Sequence, residues 1–452
     1  MSTVVRLSRR EFLKGIALTA SAGLVAACAP QAGAPGAPAT APAAGAAAQP
    51  AAQEKVTLQM WAFATNRVKW EEAMIPTFEE QNPGYTVKVT TFPYADMHDK
   101  LLTALQAGTG APDIGDVARQ EHTRYLKERD TLLPLDDRLG TEKENLFLGS
   151  AVAEWTYKGK IYGISNELNA CLMFYRFDLF AEAGIEDKPI DTWEEFLEKG
   201  KLYTEKMGKF FTACPDQDNA YYTILSQYGG GWFDKDGNCN VNNPFAVRIL
   251  QMLHDWVYVD KIAELMPGGN YYNSAWYGAL SAGDYAVVFG APWYQGFMKD
   301  NAQGVAGKWH MGPLPIYQDG TGARSATYGG TGMTITEQSK YPDQCWKFIK
   351  LCNLTVEGQM KGFELQNLYP TYRPAWEDER LFSTDPYFDN QKPGEFLKAV
   401  AGEMPLPSTS PYWTFVNDAL TRLAIAPVMA DTATAQEALD AVCAEMAKEQ
   451  QA

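Results

Sequence analysis

Residues 56–117 alternate between strand-like and helix-like hydrophobic patterns, and this order constrains the fold more than any other feature of the chain. In the first and third segments apolar residues occur at every second position, which is typical of strands, and the fifth is a short segment after the turn at 108–112 that we also predict to be a strand. In the second and fourth segments they recur every three to four positions, which is typical of helices. An order of strand, helix, strand, helix, strand predicts a parallel sheet with helical crossovers, and therefore an α/β fold. The five segments are centred on residues 56–61, 70–78, 85–89, 97–105 and 113–117.

The ends of the predicted strands indicate where a ligand would bind. Ligands of open α/β sheets gather beyond the carboxyl ends of the strands. The first strand leads into Phe63–Arg67 and the third leads into Ala118–Gln120, so both segments belong to a candidate site. Farther along the chain, Gly159–Ile164 and Leu172–Arg176 are also predicted to be strands.

The N-terminal segment carries two export motifs in the expected order. Ser8–Lys14 resembles a twin-arginine export signal, and Leu24–Cys28 resembles a lipobox. The apolar stretch between them, Gly15–Ala27, is shorter than the roughly 20 residues that a membrane span needs, although a single-pass anchor is the alternative. We therefore expect residues 1–27 to be a signal peptide and Cys28 to carry a diacylglyceryl anchor on the outer side of the membrane. Residues 28–54 consist largely of Ala, Pro, Gly and Gln, which predicts a disordered tether.

Size and charge narrow the class of protein further. A chain of 452 residues is too long for one hydrophobic core, which predicts two domains. A formal net charge of −16 disfavours binding to nucleic acid. The chain also contains 12 tryptophans and 23 tyrosines, which suit either a large core or a surface that stacks on ring-shaped ligands.

The cysteines other than the lipidated one allow two interpretations. An oxidising compartment permits disulfides, and Cys214–Cys239 is the first pair to test. Cys443 falls on the apolar face of a predicted helix, and Cys345 and Cys352 lie seven residues apart in another. Buried free thiols are therefore an equally good interpretation.

Motifs of covalent, metal and nucleotide chemistry are missing from the sequence. It contains no Gly-x-Ser-x-Gly elbow, no phosphate-binding Gly-Lys-Ser/Thr loop and no Cys/His spacing typical of a zinc site. Asp234–Asn238 resembles the start of a calcium loop, but the glycine and glutamate required later in that loop are absent, which favours a polar hairpin turn. We expect no metal and no cofactor. A glycosidase with two positioned carboxylates stays an alternative.

Several runs in fixed order resemble one known family. They are Phe78–Gly84, Ala111–Ile114, Tyr157–Ile164, Phe174–Ile185, Thr192–Glu195, Gly290–Trp293, Gly329–Gly330, Trp346–Gly358 and Asp431–Leu439. Together they resemble the extracellular solute-binding proteins of ABC importers, in the sugar-binding group that includes the maltose-binding protein. The resemblance covers nearly all of residues 55–445.

This resemblance implies a two-lobed periplasmic-binding-protein type II fold with a ligand cleft between the lobes. The lobes would be joined by a three-segment hinge and would close around the ligand. The hinge crossings are expected near Ile164–Cys171, Leu314–Ile316 and Glu403–Pro407. The N-terminal lobe would comprise residues 55–166 and 315–403, and the C-terminal lobe residues 167–314 and 404–452.

The resemblance also implies contact residues where the local motif matches. Trp293 follows Gly-Ala-Pro, where family members often place an aromatic side chain that stacks on a sugar ring. Arg176 and the pair Arg119-Gln120 depart from the family pattern, which leaves a sugar other than a maltodextrin open. The remaining candidates could equally be polar side chains facing water or aromatic side chains packed in the core. They are Asn66, Arg67, Arg119, Gln120, Glu167, Asn169, Asn219, Trp232, Tyr328 and Trp413.

The implied function is the capture of a mono- or oligosaccharide outside the cell and its delivery to a membrane permease, without covalent chemistry. A pyranose suits the candidate residues because aromatic faces bury its C–H face while polar side chains pair with its hydroxyls. We expect a monomer. The alternatives are a secreted carbohydrate-active enzyme, a receptor for a peptide or polyamine, and a sugar-binding lipoprotein that senses without transport.

Overall fold

The computed structural model describes residues 55–63, 65–215, 218–229, 231–405 and 408–451. The predicted export signal, the lipidation site Cys28 and the tether at 28–54 lie outside these residues. Within the described ranges, no helix combines the length and the apolar character needed to cross a membrane.

A five-stranded sheet forms the first half of the fold in the predicted way. β2 and β3 both run parallel to β1, and the helices between them are the predicted crossovers. β12, from much later in the chain, adds antiparallel to β3 and pairs with β6 on its other side, so the sheet order is β2-β1-β3-β12-β6. The strands of the described chain are β1 Val56–Ala62, β2 Tyr85–Thr91, β3 Ile114–Ala118, β4 Thr156–Tyr157, β5 Lys160–Ile161, β6 Ile164–Ser165, β7 Leu172–Arg176, β8 Thr212–Cys214, β9 Ala263–Leu265, β10 Val287–Gly290, β11 Trp309–Gly312 and β12 Thr331–Ile335.

Helices cover this sheet and bury its apolar side chains. Trp70 and Phe78 of the first helix share a core with Met60 of β1 and Phe348 of a later helix, and the Trp70 indole donates to the carbonyl oxygen of Gly358 at 2.8 Å. The described α-helices are α1 Thr65–Gln81, α2 Tyr94–Ala107, α3 His122–Tyr125, α4 Asp136–Leu139, α5 Leu148–Ala151, α6 Phe177–Ala183, α7 Trp193–Met207, α8 Asp218–Ser226, α9 Pro244–Tyr258, α10 Ser274–Ala282, α11 Tyr294–Asn301, α12 Pro342–Asn353, α13 Val356–Gln366, α14 Pro393–Val400, α15 Trp413–Ala419, α16 Ala426–Met429 and α17 Ala435–Glu449.

A second, three-stranded sheet has β7 at its centre, with β10 and β11 antiparallel on either side. Every residue of β7 is buried, because helices cover both faces of the sheet. Met173 and Tyr175 enter one core, and Leu172 and Phe174 enter another. The second core also contains Leu397 of α14. The predicted strand at 172–176 is therefore confirmed.

The single strand predicted at Gly159–Ile164 is wrong. The segment forms β5, which pairs with β4 in a short hairpin, and then β6, which pairs with β12 in the large sheet. The break lies at Gly163, where a Cβ atom would overlap the Trp155 ring. Close packing of this ring against the backbone prevents one continuous strand.

The first disulfide candidate, Cys214–Cys239, is also wrong. Cys239 pairs with Cys443 instead, with a Cα–Cα distance of 5.4 Å. Cys214 ends β8 in the interior, where its thiol faces the Leu253 carbonyl oxygen at 3.9 Å. The bridge ties the segment after the 234–238 turn to α17. The other described cysteines are buried and free, as the alternative interpretation held: Cys171, Cys214, Cys345 and Cys352.

The acidic stretch at 234–238 is confirmed as a polar hairpin turn. Asp234 Oδ1 accepts hydrogen bonds from the backbone nitrogens of Asp236 and Asn238, both at 2.9 Å. Phe233 and Cys239 pair antiparallel on either side of the turn. In the described part of the chain, no group of three His, Cys, Asp or Glu side chains is placed to hold a metal ion.

Candidate ligand-binding cleft

A cleft of about 550 Å³ lies at the carboxyl end of β3, where the predicted parallel sheet directs a ligand. Its walls come from the segment after β3, the backbone before β12, and helices α8, α11 and α15. The lining is aromatic on much of its surface and polar elsewhere. It comprises Phe63, Tyr94, Ala118, Arg119, Gln120, Glu121, Tyr222, Tyr272, Trp293, Phe297, Tyr328, Gly329, Gly330, Thr331, Trp413, Thr414 and Asn417.

Five predicted site residues meet in this cleft although they are far apart in sequence. They are Arg119, Gln120, Trp293, Tyr328 and Trp413. Their meeting makes this cleft the candidate ligand site.

Arg119 is fixed in the wall between the two halves of the fold. Its Nε atom donates to the Gly329 carbonyl oxygen at 3.0 Å, and Nη2 donates to the Tyr222 hydroxyl at 3.1 Å. Glu154 Oε2 lies 3.7 Å from Nε, and both side chains are buried. Burial raises the pKa of the Glu154 carboxyl, although the facing guanidinium opposes the rise. With its partners in place, Arg119 is a rigid part of the site.

A chain of hydrogen bonds runs along the floor beside Arg119. The Gln120 amide donates to the Tyr94 hydroxyl at 2.8 Å, which donates to Glu121 Oε1 at 3.0 Å. Glu121 Oε2 pairs with Arg124 Nε at 2.8 Å and accepts from the Thr414 hydroxyl at 3.2 Å. Among the described residues Gln120 Oε1 has no hydrogen-bond partner, so it can accept from a ligand hydroxyl.

Trp293 stands at the start of α11 within a group of aromatic rings. Its indole nitrogen donates to the Tyr328 carbonyl oxygen at 3.4 Å, and the two ring centroids are 6.1 Å apart. The Tyr272 ring is nearly parallel to the indole, at 6.2 Å and 18°. Gly329 has φ +73° and packs against the indole edge, where an added Cβ would lie 3.3 Å from the nitrogen. These contacts orient the Trp293 ring before any ligand arrives.

Trp413 and Trp232 have different surroundings. Their rings stack with centroids 4.1 Å apart and 26° between planes. Trp413 lines the cleft, whereas Trp232 is buried behind it and meets the edge of Tyr222. Trp232 therefore supports the aromatic wall from behind.

Glu167 and Asn169 lie behind the cleft wall. Both are buried, and the Asn169 amide donates to the Glu167 carbonyl oxygen at 3.1 Å. Gly330, with φ +103°, separates Asn169 from the cleft, and a Cβ at that position would overlap the amide. Asn66 and Arg67 lie at the start of α1 and Asn219 lies in α8, but their side chains fall outside the described part of the structure.

Two buried histidines hold the backbone that forms the cleft floor. His98 Nε2 accepts from the Ala118 amide at 3.0 Å, and Nδ1 donates to the Tyr94 carbonyl oxygen at 2.7 Å. His122 Nδ1 donates to the Arg119 carbonyl oxygen at 2.6 Å. Burial lowers the pKa of both rings, to about 4 for His122. Both histidines are therefore neutral at pH 7.

Several lining residues escaped the sequence analysis. Tyr94 was within reach, because it closely follows the carboxyl end of β2, the strand next to β1. Phe63 and Ala118 fell within the predicted segments without being singled out. No local motif marks the others, because distant packing positions them: Glu121, Tyr222, Tyr272, Phe297, Thr331, Thr414 and Asn417.

Comparison with known proteins places this cleft in a familiar fold. Residues 64–354 match the family described as bacterial extracellular solute-binding proteins. An arabinooligosaccharide-binding protein of Halalkalibacterium halodurans is 31% identical over 331 residues, which cover 73% of this chain and 74% of that protein. A protein of the same description from Bacillus subtilis is 30% identical over 74% of this chain and 77% of its own length.

A solved structure agrees with the fold as a whole. The sugar-binding protein MalE of Xanthomonas citri superposes with a TM-score of 0.73 at 22% identity, covering 88% of this chain and 98% of that one. The chain therefore has the predicted two-lobed α/β fold.

Proposed function

Because the chain belongs to the bacterial extracellular solute-binding protein family, we propose that it captures an oligosaccharide in the cleft beside Trp293 and delivers it to the permease of an ABC importer. The observation that carries this proposal is the lining of the cleft. Oriented aromatic rings such as Trp293 and Tyr328 share one cavity with the hydrogen-bonding side chains of Gln120 and Asn417, whose amide oxygens have no hydrogen-bond partner among the described residues.

Sugar chemistry explains why this lining suits such a ligand. The aromatic rings bury the C–H face of a sugar ring, and the polar side chains satisfy hydroxyls that both donate and accept. A hydroxyl left unpaired in a closed cleft costs about 1–3 kcal/mol, which supplies specificity. The two relatives described as arabinooligosaccharide-binding proteins support an arabinooligosaccharide as the first ligand to test.

We propose that the bound sugar leaves unchanged, so that the protein is a receptor and not an enzyme. Hydrolysis of a glycosidic bond commonly uses two carboxylates that flank it. Among the described residues that line the cleft, Glu121 is the single carboxylate, and Arg124 and Thr414 engage it. Both relatives are described as binding proteins.

Isothermal titration tests the proposal. Arabinotriose, maltotriose, lactose, a short peptide and spermidine should be titrated separately into the mature protein, with product analysis after each run. We expect heat with an oligosaccharide and no product. If only the peptide or spermidine gives heat, the proposal that the ligand is a sugar is wrong. If a product of the bound sugar is found, the proposal that the protein is a receptor and not an enzyme is wrong.

Replacement of Trp293 by alanine should weaken oligosaccharide binding by about 1–3 kcal/mol, by analogy with the stacking of a nucleobase on an aromatic side chain. The fold should persist, because the side chain is only partly buried. Titration with the oligosaccharide that binds the wild type measures the change. Phe245→Ala is the matched control, since Phe245 is an exposed aromatic residue that does not line the cleft. Equal dissociation constants for Trp293→Ala and wild type would make Trp293 a packing residue.

We also propose that a monomer of this protein is held at the outer face of the cell membrane by lipid on Cys28. The lipobox and the twin-arginine motif support this proposal. In cells, Cys28→Ala should move the protein from the membrane fraction to the soluble extracytoplasmic fraction, as immunoblots of the fractions would reveal. A membrane-bound Cys28→Ala variant would contradict the lipid anchor.

The two sheets support a hinge with the predicted arrangement. The chain passes from β6 in the five-stranded sheet to β7 in the three-stranded sheet, and it returns between β11 and β12. The predicted crossings at Ile164–Cys171 and Leu314–Ile316 include residues of these passages, which supports the proposal, and the third, at Glu403–Pro407, lies partly outside the described residues. We propose that rotation about them closes the cleft over the sugar.

A further inference from the structure

The carboxylate of Glu121 joins the two sides of the cleft. Glu121 lies just after β3 of the five-stranded sheet. Thr414 belongs to α15, whose Val416 and Ala419 pack in the same core as Tyr175 of the three-stranded sheet. The hydrogen bond from the Thr414 hydroxyl to Glu121 Oε2, 3.2 Å long, therefore connects elements built on different sheets.

The surroundings of Glu121 prepare it for this contact. The side chain is almost completely buried, and a buried carboxylate is costly unless its oxygens are paired. Arg124 Nε, 2.8 Å away, compensates the charge, and the Tyr94 hydroxyl occupies Oε1. Thr414 supplies a second hydrogen-bond donor to Oε2. Bonds from neutral donors to charged acceptors are stronger than bonds between neutral groups.

We propose that the Glu121–Thr414 hydrogen bond is a latch that keeps the cleft closed over its ligand, and that Glu121 is a positioning residue for sugar retention. This inference rests on the proposed function. The latch forms only after the two sides meet, so it should slow the release of ligand and leave the association rate unchanged. Glu121 also holds Tyr94, which holds Gln120, so one carboxylate supports both closure and the cleft floor.

Release kinetics test the latch. Stopped-flow tryptophan fluorescence with the oligosaccharide that binds the wild type, arabinotriose first, gives both rate constants. Thr414→Val removes the hydroxyl at nearly constant shape, and it should accelerate release about 10-fold with an unchanged association rate, as expected for loss of a hydrogen bond to a charged group. Thr414→Ser keeps the hydroxyl and should restore slow release. Glu121→Gln removes the charge and should also accelerate release.

Thr103→Val is the matched control, because the exposed Thr103 hydroxyl donates within its own helix, to the Asp99 carbonyl oxygen. The melting temperature of each variant shows whether a faster release reflects loss of the latch or a general loss of stability. If Thr414→Val is destabilised, the release rate of Glu121→Gln decides instead. Two results would overturn the latch and leave the proposed function standing. One is that Thr414→Val and Glu121→Gln release ligand at the wild-type rate, and the other is that Thr414→Ser releases it as fast as Thr414→Val. Failure of the wild type to bind any oligosaccharide would overturn the proposed function, and the latch with it.

Discussion

Removal of the Cys239–Cys443 disulfide is expected to lower the free energy of unfolding by about 5 kcal/mol. The bridge joins residues separated by 204 positions in sequence. A cross-link across so long a segment restricts the unfolded chain strongly, because the lost conformational entropy grows with the logarithm of the loop length. The bridge also ties the hairpin after Trp232 to α17, so its loss acts on the half of the fold that carries Trp413.

Urea unfolding of the double variant Cys239→Ser/Cys443→Ser, compared with the oxidised wild type, measures this loss. Cys352→Ala is the matched control: it removes a cysteine that is buried and free, so it should keep the bridge and be destabilised by reductant as the wild type is, whereas the double variant should not respond to reductant. Thiol labelling of the unfolded, unreduced protein should leave Cys239 and Cys443 unmodified. Labelling of both, or a double variant as stable as the wild type, would contradict the bridge.

The sequence predicts the elements of the large sheet because local periodicity determines them. β1, α1, β2 and α2 each carry a regular apolar pattern, β3 directly follows a Gly/Pro turn, and β7 is a mostly apolar run. The pairing of cysteines is not local. Cys443 lies on a helix whose apolar face suggested burial, and only the packing of α17 against the hairpin brings it to Cys239. The break at Gly163 likewise depends on Trp155, which approaches from outside the strand.

Some residues of the candidate site can be predicted from local sequence, and others cannot. Arg119 and Gln120 follow a strand whose carboxyl end the topology places at the ligand, and Trp293 carries a recognisable local motif. Tyr222 and Thr414 have no such signal. Their positions follow from contacts across the fold, such as the bond between the Arg119 guanidinium and the Tyr222 hydroxyl over 103 residues of sequence.

Acidification from pH 7 to pH 5 is expected to lower the free energy of unfolding by about 2 kcal/mol through His122 alone. Burial lowers the pKa of this ring from 6.5 to about 4, with a smaller contribution from the Arg119 charge. Below pH 6.5 His122 is therefore protonated in the unfolded chain but stays neutral in the native protein. The stabilisation is complete above pH 6.5, declines as the pH falls, and is lost below about pH 4. Its full extent is about 3 kcal/mol.

Urea unfolding at pH 7, 6 and 5 measures this effect in the His122→Asn variant, whose dependence on pH should be flatter than that of the wild type by the same 2 kcal/mol. His254→Gln is a control of opposite sign. Burial lowers the pKa of His254, but the Asp431 and Asp255 carboxylates outweigh burial and raise it overall, so removal of this ring should steepen the loss in acid. Equal slopes for His122→Asn and wild type would contradict a neutral, buried His122. Protonation of His122 leaves its Nδ1 donor to the Arg119 carbonyl oxygen intact, but it puts a proton on the buried Nε2 atom, which has no hydrogen-bond partner among the described residues, and a positive charge beside Arg119. Protonation should therefore also loosen the cleft floor, and sugar affinity should fall over the same pH range.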